Sequence, residues 1–134
     1  MFQANVPSSK VDEHLLLAGA AWLVASVVLA IISGMTTSPM SLPHAYAFMA
    51  GFCGSSVMGL TYRLFPGMKA SRMAKPQLWI WEAGVALLVT GRTLQDLDQG
   101  DGVFQFASIV AGCGALLFAV NVLRGRTIRS QVQP

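Results

Sequence analysis

Charge is scarce in this chain. Only 11% of its 134 residues are charged, where soluble domains carry about 25%. With 54% hydrophobic residues and a mean hydropathy of +0.56, its natural solvent is a bilayer. Histidine and cysteine are each present twice. Cys53 and Cys113 fall midway along apolar runs, where they serve as small apolar side chains and are not expected to form a disulfide. There is no phosphate-binding loop, no zinc-ligand spacing and no nucleophile–base arrangement, so no catalytic residue is assigned. The net charge of +3 comes from basic residues at the ends of apolar segments. Without interleaved aromatics they do not form a nucleic-acid patch.

What is present is long apolar sequence. A helix needs about 20 residues to cross the hydrocarbon, and four stretches qualify, roughly 14–34, 44–65, 77–94 and 103–123. Leu15 to Ile32 holds no charge. Its apolar core exceeds the ~7–15 residues of a signal peptide and no clean cleavage site follows, so it reads as a retained helix. Pro43 suits the first turn of the second span, Pro66-Gly67 ends it, Pro76 starts the third, and Gly100-Asp101-Gly102 is a turn before the fourth. The predicted fold is all-α, one domain over 1–134 made of four transmembrane helices.

Arg63, Lys69, Arg72 and Lys75 lie in a 63–76 segment without acids, and Arg124, Arg126 and Arg129 lie in the tail. The 35–43 loop is uncharged, and the 92–102 loop sets Arg92 against Asp96, Asp98 and Asp101. By the positive-inside rule both termini and the 63–76 segment are cytoplasmic, in a bacterial-type inner membrane. His44 then lies near the outer face and His14, a flanking residue beside Asp12-Glu13, near the inner one. They are separated by about 25–30 Å, too far to share one cofactor within a protomer.

Two stripes of small residues permit close helix approach. One is Ala47, Gly51, Ser55 and Gly59; the other is Ala107, Ala111, Ala115 and Ala119. His44 lies three and seven residues before Ala47 and Gly51, hence on the same α-helical face. That face leaves room for a flat macrocycle beneath a ligating imidazole, and packing alone explains it equally well.

Several residues are candidates beside their plainer readings. His44 is an interfacial cap or an axial iron ligand, with Tyr46 and Met49 within about a turn. Glu82, the one carboxylate well inside an apolar span, is a structural partner of Arg63 or a proton relay. Arg92 is a snorkelling arginine or a clamp for a haem propionate. Trp79 and Trp81 fit an interfacial aromatic belt.

Residues 42–66 resemble the second transmembrane helix of the catalytic subunit of haem-copper oxidases, closest to nitric oxide reductases and small subunit-I-like membrane proteins. The resemblance is carried by His44, then Gly51, Gly54 and Gly59, then Tyr62-Arg63-Leu64-Phe65-Pro66; the opening reads His44-Ala45-Tyr46 where the small proteins often have His-Ala-His. It implies that His44 binds haem b, with Tyr46, Met49, Gly51 and Arg92 around the cofactor. The family's catalytic subunits use about six histidines, and this chain has no counterpart of the copper or high-spin haem ligands. Oxygen or nitric oxide reduction by this chain alone is therefore not implied. Four helices resemble one of the family's three arcs. The corresponding expectation is a homo-oligomer, a trimer or else a dimer, in which two His44 side chains ligate one haem b. The implied role is electron transfer or gas or haem handling, with a respiratory complex or electron donor as partner. The alternatives are a haem-free accessory or scaffold subunit of a respiratory complex, and a small channel or transporter using Glu82.

Overall fold

The uncharged stretch from Leu15 builds the first helix, α1 (Val11–Met35), with Asp12 and Glu13 in its first turn, where acids complement the helix dipole. In the computed structural model, which describes residues 9–36 and 41–132, the chain is all-helical and no strand occurs among those residues. Part of the 35–43 loop and the side chains of Arg126 and Arg129 lie outside the described residues.

A second rod covers 41–64 and changes character along its length. It opens as α2 (Ser41–Tyr46), widens into a π-helical segment (Ala47–Gly54), and closes as α3 (Ser55–Leu64). Pro43 sits in its first turn, where the missing N–H would have had no helical partner. The rod stops at Phe65, which leaves helical geometry at φ −121° and ψ 82°. Proline disfavours the helical region for the residue before it, and Pro66 opens the short α4 (Pro66–Lys69). The long helices α5 (Ala74–Asp96) and α6 (Gly102–Val132) follow. They are joined by a tight turn in which Asp98 (φ 55°) and Gly100 (φ 116°) adopt left-handed backbone. Glycine does so freely and aspartate tolerates it.

Glycines set the packing register. A Cβ on Gly59 would meet Leu15 and Leu16, one on Gly19 would meet Ser56, and one on Gly51 would meet Trp22. As α1 ascends the second rod descends, so the two are antiparallel. Gly91 likewise faces Phe104, Gly84 faces Ala111 and Gly114 faces Trp81, which makes α5 and α6 an antiparallel hairpin. Among the described side chains of α6 the buried ones are Ala107, Ala111, Gly114 and Asn121, spaced close to two per heptad.

The alanine stripe expected on the fourth helix is therefore only half right. Ala107 and Ala111 are buried, whereas Ala115 and Ala119 are exposed. A strict four-residue repeat drifts around a helix of 3.6 residues per turn, and Gly114 carries the contact onward instead.

The outer surface carries many large apolar side chains, while a few polar residues sit inside an otherwise apolar core. Leu17, Val24, Val27 and Ile31 of α1 and Phe106, Ile109 and Leu116 of α6 are exposed. Ser55, Gln77 and Asn121 are buried. Two helices, Val11–Met35 and Gly102–Gly125, are long and apolar enough to cross a membrane.

Candidate functional site

Polar chemistry in this bundle gathers at four levels between the rods. The most central belongs to Glu82, half-buried on α5. Its Oε2 accepts a 2.9 Å hydrogen bond from Trp22 Nε1 of α1. Its Oε1 accepts a 2.6 Å hydrogen bond from the Ser55 hydroxyl at the start of α3, and Ser55 Oγ in turn accepts one of 3.1 Å from Trp81 Nε1. Both carboxylate oxygens are thereby engaged by neutral donors. The network ties α1, the second rod and α5 at one height.

The expected Glu82–Arg63 pair does not form. Arg63 leaves the rod at its far end and bonds Asp12 instead, at 3.3 Å. Glu82 lies a full span-half away, level with Ser55.

A second network lies deeper toward that end. Tyr62 donates to Gln77 Oε1 at 3.1 Å and accepts from Asn121 Nδ2 at 3.1 Å. Asn121 also donates to the Met68 carbonyl at 3.4 Å, and Gln77 Nε2 donates to the Gly114 carbonyl at 3.3 Å. All three side chains are buried, and each finds the partners that burial demands. Gln77 and Asn121 were legible signals, since amides inside apolar helices bond across interfaces. They had no place among the sequence candidates, and neither had Trp22, while Ser55 was read only as a small residue of the packing stripe.

At the third level Asp12 is held by Arg63 and by Lys69, whose Nζ lies 3.3 Å away. Burial raises the Asp12 carboxyl, but the hydrogen bonds from Lys69 and Arg63 outweigh it and set it below its ordinary value. A depressed folded-state value means that this stabilisation is complete above the unfolded value near 3.8 and disappears as pH falls through the folded one. Melting temperature in mild detergent is expected to differ between wild type and Asp12→Asn by a constant amount above pH 5. The gap should close progressively below pH 4, and a gap persisting into strong acid would deny the ion pairs their role.

His44 defines the fourth level, at the opposite end of the bundle from His14 of α1, as the antiparallel register requires. The ring is half-buried on α2, and its Nδ1 is a buried nitrogen with no hydrogen-bond partner. Tyr46 packs edge-to-face on Phe104, with ring centroids 5.5 Å apart. Arg92 is at the same end, bonded to Asp96 at 2.8 Å and to Gln95 at 2.8 Å. Its Nε and the Asp96 Oδ2 are also buried without partners. Met49 faces outward, 70% exposed.

Two expectations need correction here. The face prepared for a macrocycle is filled by protein. A Cβ on Gly51 would lie 2.4 Å from the Trp22 ring, and one on Gly54 would lie 2.5 Å from that of Trp81. The π-helical segment also takes more residues per turn than an α-helix, so the α-helical projection that set His44 over Gly51 does not hold, although Ala47 and Gly51 both stay buried. The imidazole itself fits an iron ligand. The glycine face beneath it does not fit a porphyrin. Among the described residues no group of three or more His, Cys, Asp or Glu could hold a metal ion, and Cys53 and Cys113 are free.

These features define a helical protein with two membrane-length helices and polar groups turned inward. The chain matches no family model, no curated protein and no solved structure.

Proposed function

We propose that this chain is a multi-pass protein of a bacterial-type inner membrane that binds haem b through His44, for electron transfer or for gas or haem handling. The large apolar side chains exposed on α1, the second rod and α6 support spans in contact with lipid. The rod at 41–64 and α5 (Ala74–Asp96) are each about 35 Å long at 1.5 Å per residue, enough to cross the hydrocarbon.

One observation carries the cofactor reading: the buried Nδ1 of His44 has no partner, in a segment that resembles a haem-ligating helix. A ring nitrogen removed from water costs free energy unless something bonds it. Bound haem supplies one-electron and gas-binding chemistry at its iron. The protein's part is ligation by His44, with Tyr46 steadied by Phe104 and Arg92 steadied by Asp96 and Gln95. Each protomer offers one imidazole at this end. A second copy therefore supplies the other His44 in a closed cyclic oligomer, a trimer or a dimer. The glycine face stays with Trp22 and Trp81, so the cofactor belongs between protomers, where Nε2 of the half-buried ring would be the ligating atom while Nδ1 stays inside the protomer.

Titrating haem into the detergent-purified protein tests the assignment. His44→Ala is expected to weaken binding by at least about 100-fold, since losing even a group that supports a ligand costs ~10–100-fold. Equal haem affinity in wild type and His44→Ala would overturn it. The filled glycine face favours a second reading, a haem-free accessory subunit that packs onto a larger respiratory complex. Unsaturable haem binding together with stable co-extraction of such a complex would establish that reading instead.

A further inference from the structure

The end of the molecule away from His44 carries a pocket of about 650 Å³ between the start of α1 and the α4–α5 junction, lined by Lys10, His14, Lys69, Arg72, Lys75 and Trp79 among others. That volume falls in the ~300–1,000 Å³ range of small-ligand sites. Its charge is one-sided. Lys69 is engaged by Asp12, but Lys10, Arg72 and Lys75 bond no acid among the described residues, and no acid lines the pocket. The Ser9 hydroxyl on its wall is buried without a hydrogen-bond partner. Such a set suits a phosphate, which accepts from several donors and neutralises clustered cations.

The pocket has a continuation. A second groove of about 260 Å³ shares His14, Leu78 and Trp79 with it and runs between α1 and α5, past Ala18 to Glu82. Ala18 lies one turn along α1 from His14, and Glu82 lies one turn along α5 from Leu78, so the groove follows the helix axes. Trp79, at its mouth, is 71% exposed, as suits a ring at a headgroup boundary. Glu82 brings no loose polarity to the far end, because Trp22 and Ser55 engage both of its oxygens.

We propose that this composite site binds one anionic phospholipid. The phosphate headgroup lies over Lys10, Arg72 and Lys75, and an acyl chain lies along Ala18, Leu78 and Trp79. Basic pockets between membrane helices on the cytoplasmic side recognise such headgroups, and the apolar groove explains why a lipid suits this site better than a free anion. The site rests on the membrane reading and is independent of haem.

The test uses the full-length protein, delipidated in dodecyl maltoside, with dioleoyl phosphatidylglycerol, dioleoyl phosphatidylcholine or inorganic phosphate added. Thermal stabilisation should reach half its maximum at roughly tenfold lower phosphatidylglycerol than phosphatidylcholine. Arg72→Gln with Lys75→Gln, both at exposed positions, should abolish that preference. Ala18→Phe, which fills the groove, should weaken phosphatidylglycerol and leave the response to phosphate unchanged. Equal response to the two lipids, a preference surviving the double substitution, or full stabilisation by phosphate alone would each overturn the proposal.

Discussion

Gly84→Val is expected to cost about 3 kcal/mol of stability, near the top of the usual range for overpacking. A Cβ at position 84 would lie 2.6 Å from both the Cα and the backbone nitrogen of Ala111 and 3.0 Å from its Cβ. Side chains can change rotamer to relieve such a clash, but backbone can move only by parting the helices. The hairpin is zipped at two further points of the same kind. A Cβ on Gly91 would lie 2.8 Å from the Phe104 backbone, and one on Gly114 would lie 2.9 Å from the Trp81 backbone. Parting the helices at Gly84 would therefore strain three contacts at once. It would also loosen the Gln77 amide from the Gly114 carbonyl, now 3.3 Å apart. Gly112→Val is the control, because nothing lies within 4 Å of its Cβ position. Thermal unfolding in mild detergent should show a large loss for the first and a change within about 0.5 kcal/mol for the second. Equal losses would mean that α5 and α6 do not approach through these glycines.

Glu82→Leu is expected to be the second most damaging change, at about 2–4 kcal/mol. It strands the Trp22 indole N–H and the Ser55 hydroxyl, each worth ~1–3 kcal/mol when buried and unsatisfied. Values measured within bilayers are smaller, about 0.6 kcal/mol on average, which places the expectation toward its lower end. Glu82→Gln should cost under about 1 kcal/mol. Its amide oxygen accepts from Trp22, and its nitrogen donates to Ser55, whose oxygen can also keep the bond from Trp81. Thermal unfolding of the two variants thus separates hydrogen bonding from charge. Were Gln as harmful as Leu, the negative charge itself would be required, as a proton relay or transporter needs. Proton flux in liposomes would then be the next experiment.

Much of the fold was legible because long apolar runs and the prolines and glycines between them mark helices and their ends directly. The uncharged run from Leu15 reads directly as α1, Pro43 and Pro66 bracket the second rod, and Gly100 marks the turn before α6. The lateral arrangement was less legible, since periodicity identifies a face without naming what it meets. Gly51 looked like empty space, and only the fold brings Trp22, 29 positions away in sequence, against it. The alanine stripe misled because a repeat of four is not the helix period. The π-helical segment leaves no clear sequence signal, and it rotates everything beyond Tyr46 relative to an α-helical projection. For Glu82, depth in the span predicted a polar partner, but the nearest cation in the topology was the wrong one. Arg63 is drawn to Asp12, which stands outside the uncharged stretch where an ion pair costs less to form.

The central claim is that His44 ligates iron, and the most direct measurement is a reduced-minus-oxidised absorption spectrum of the protein purified in mild detergent from haem-replete cells. A haem b signal in the wild type that vanishes in His44→Ala is the expected result. A colourless preparation, or a signal that persists without the imidazole, would contradict it.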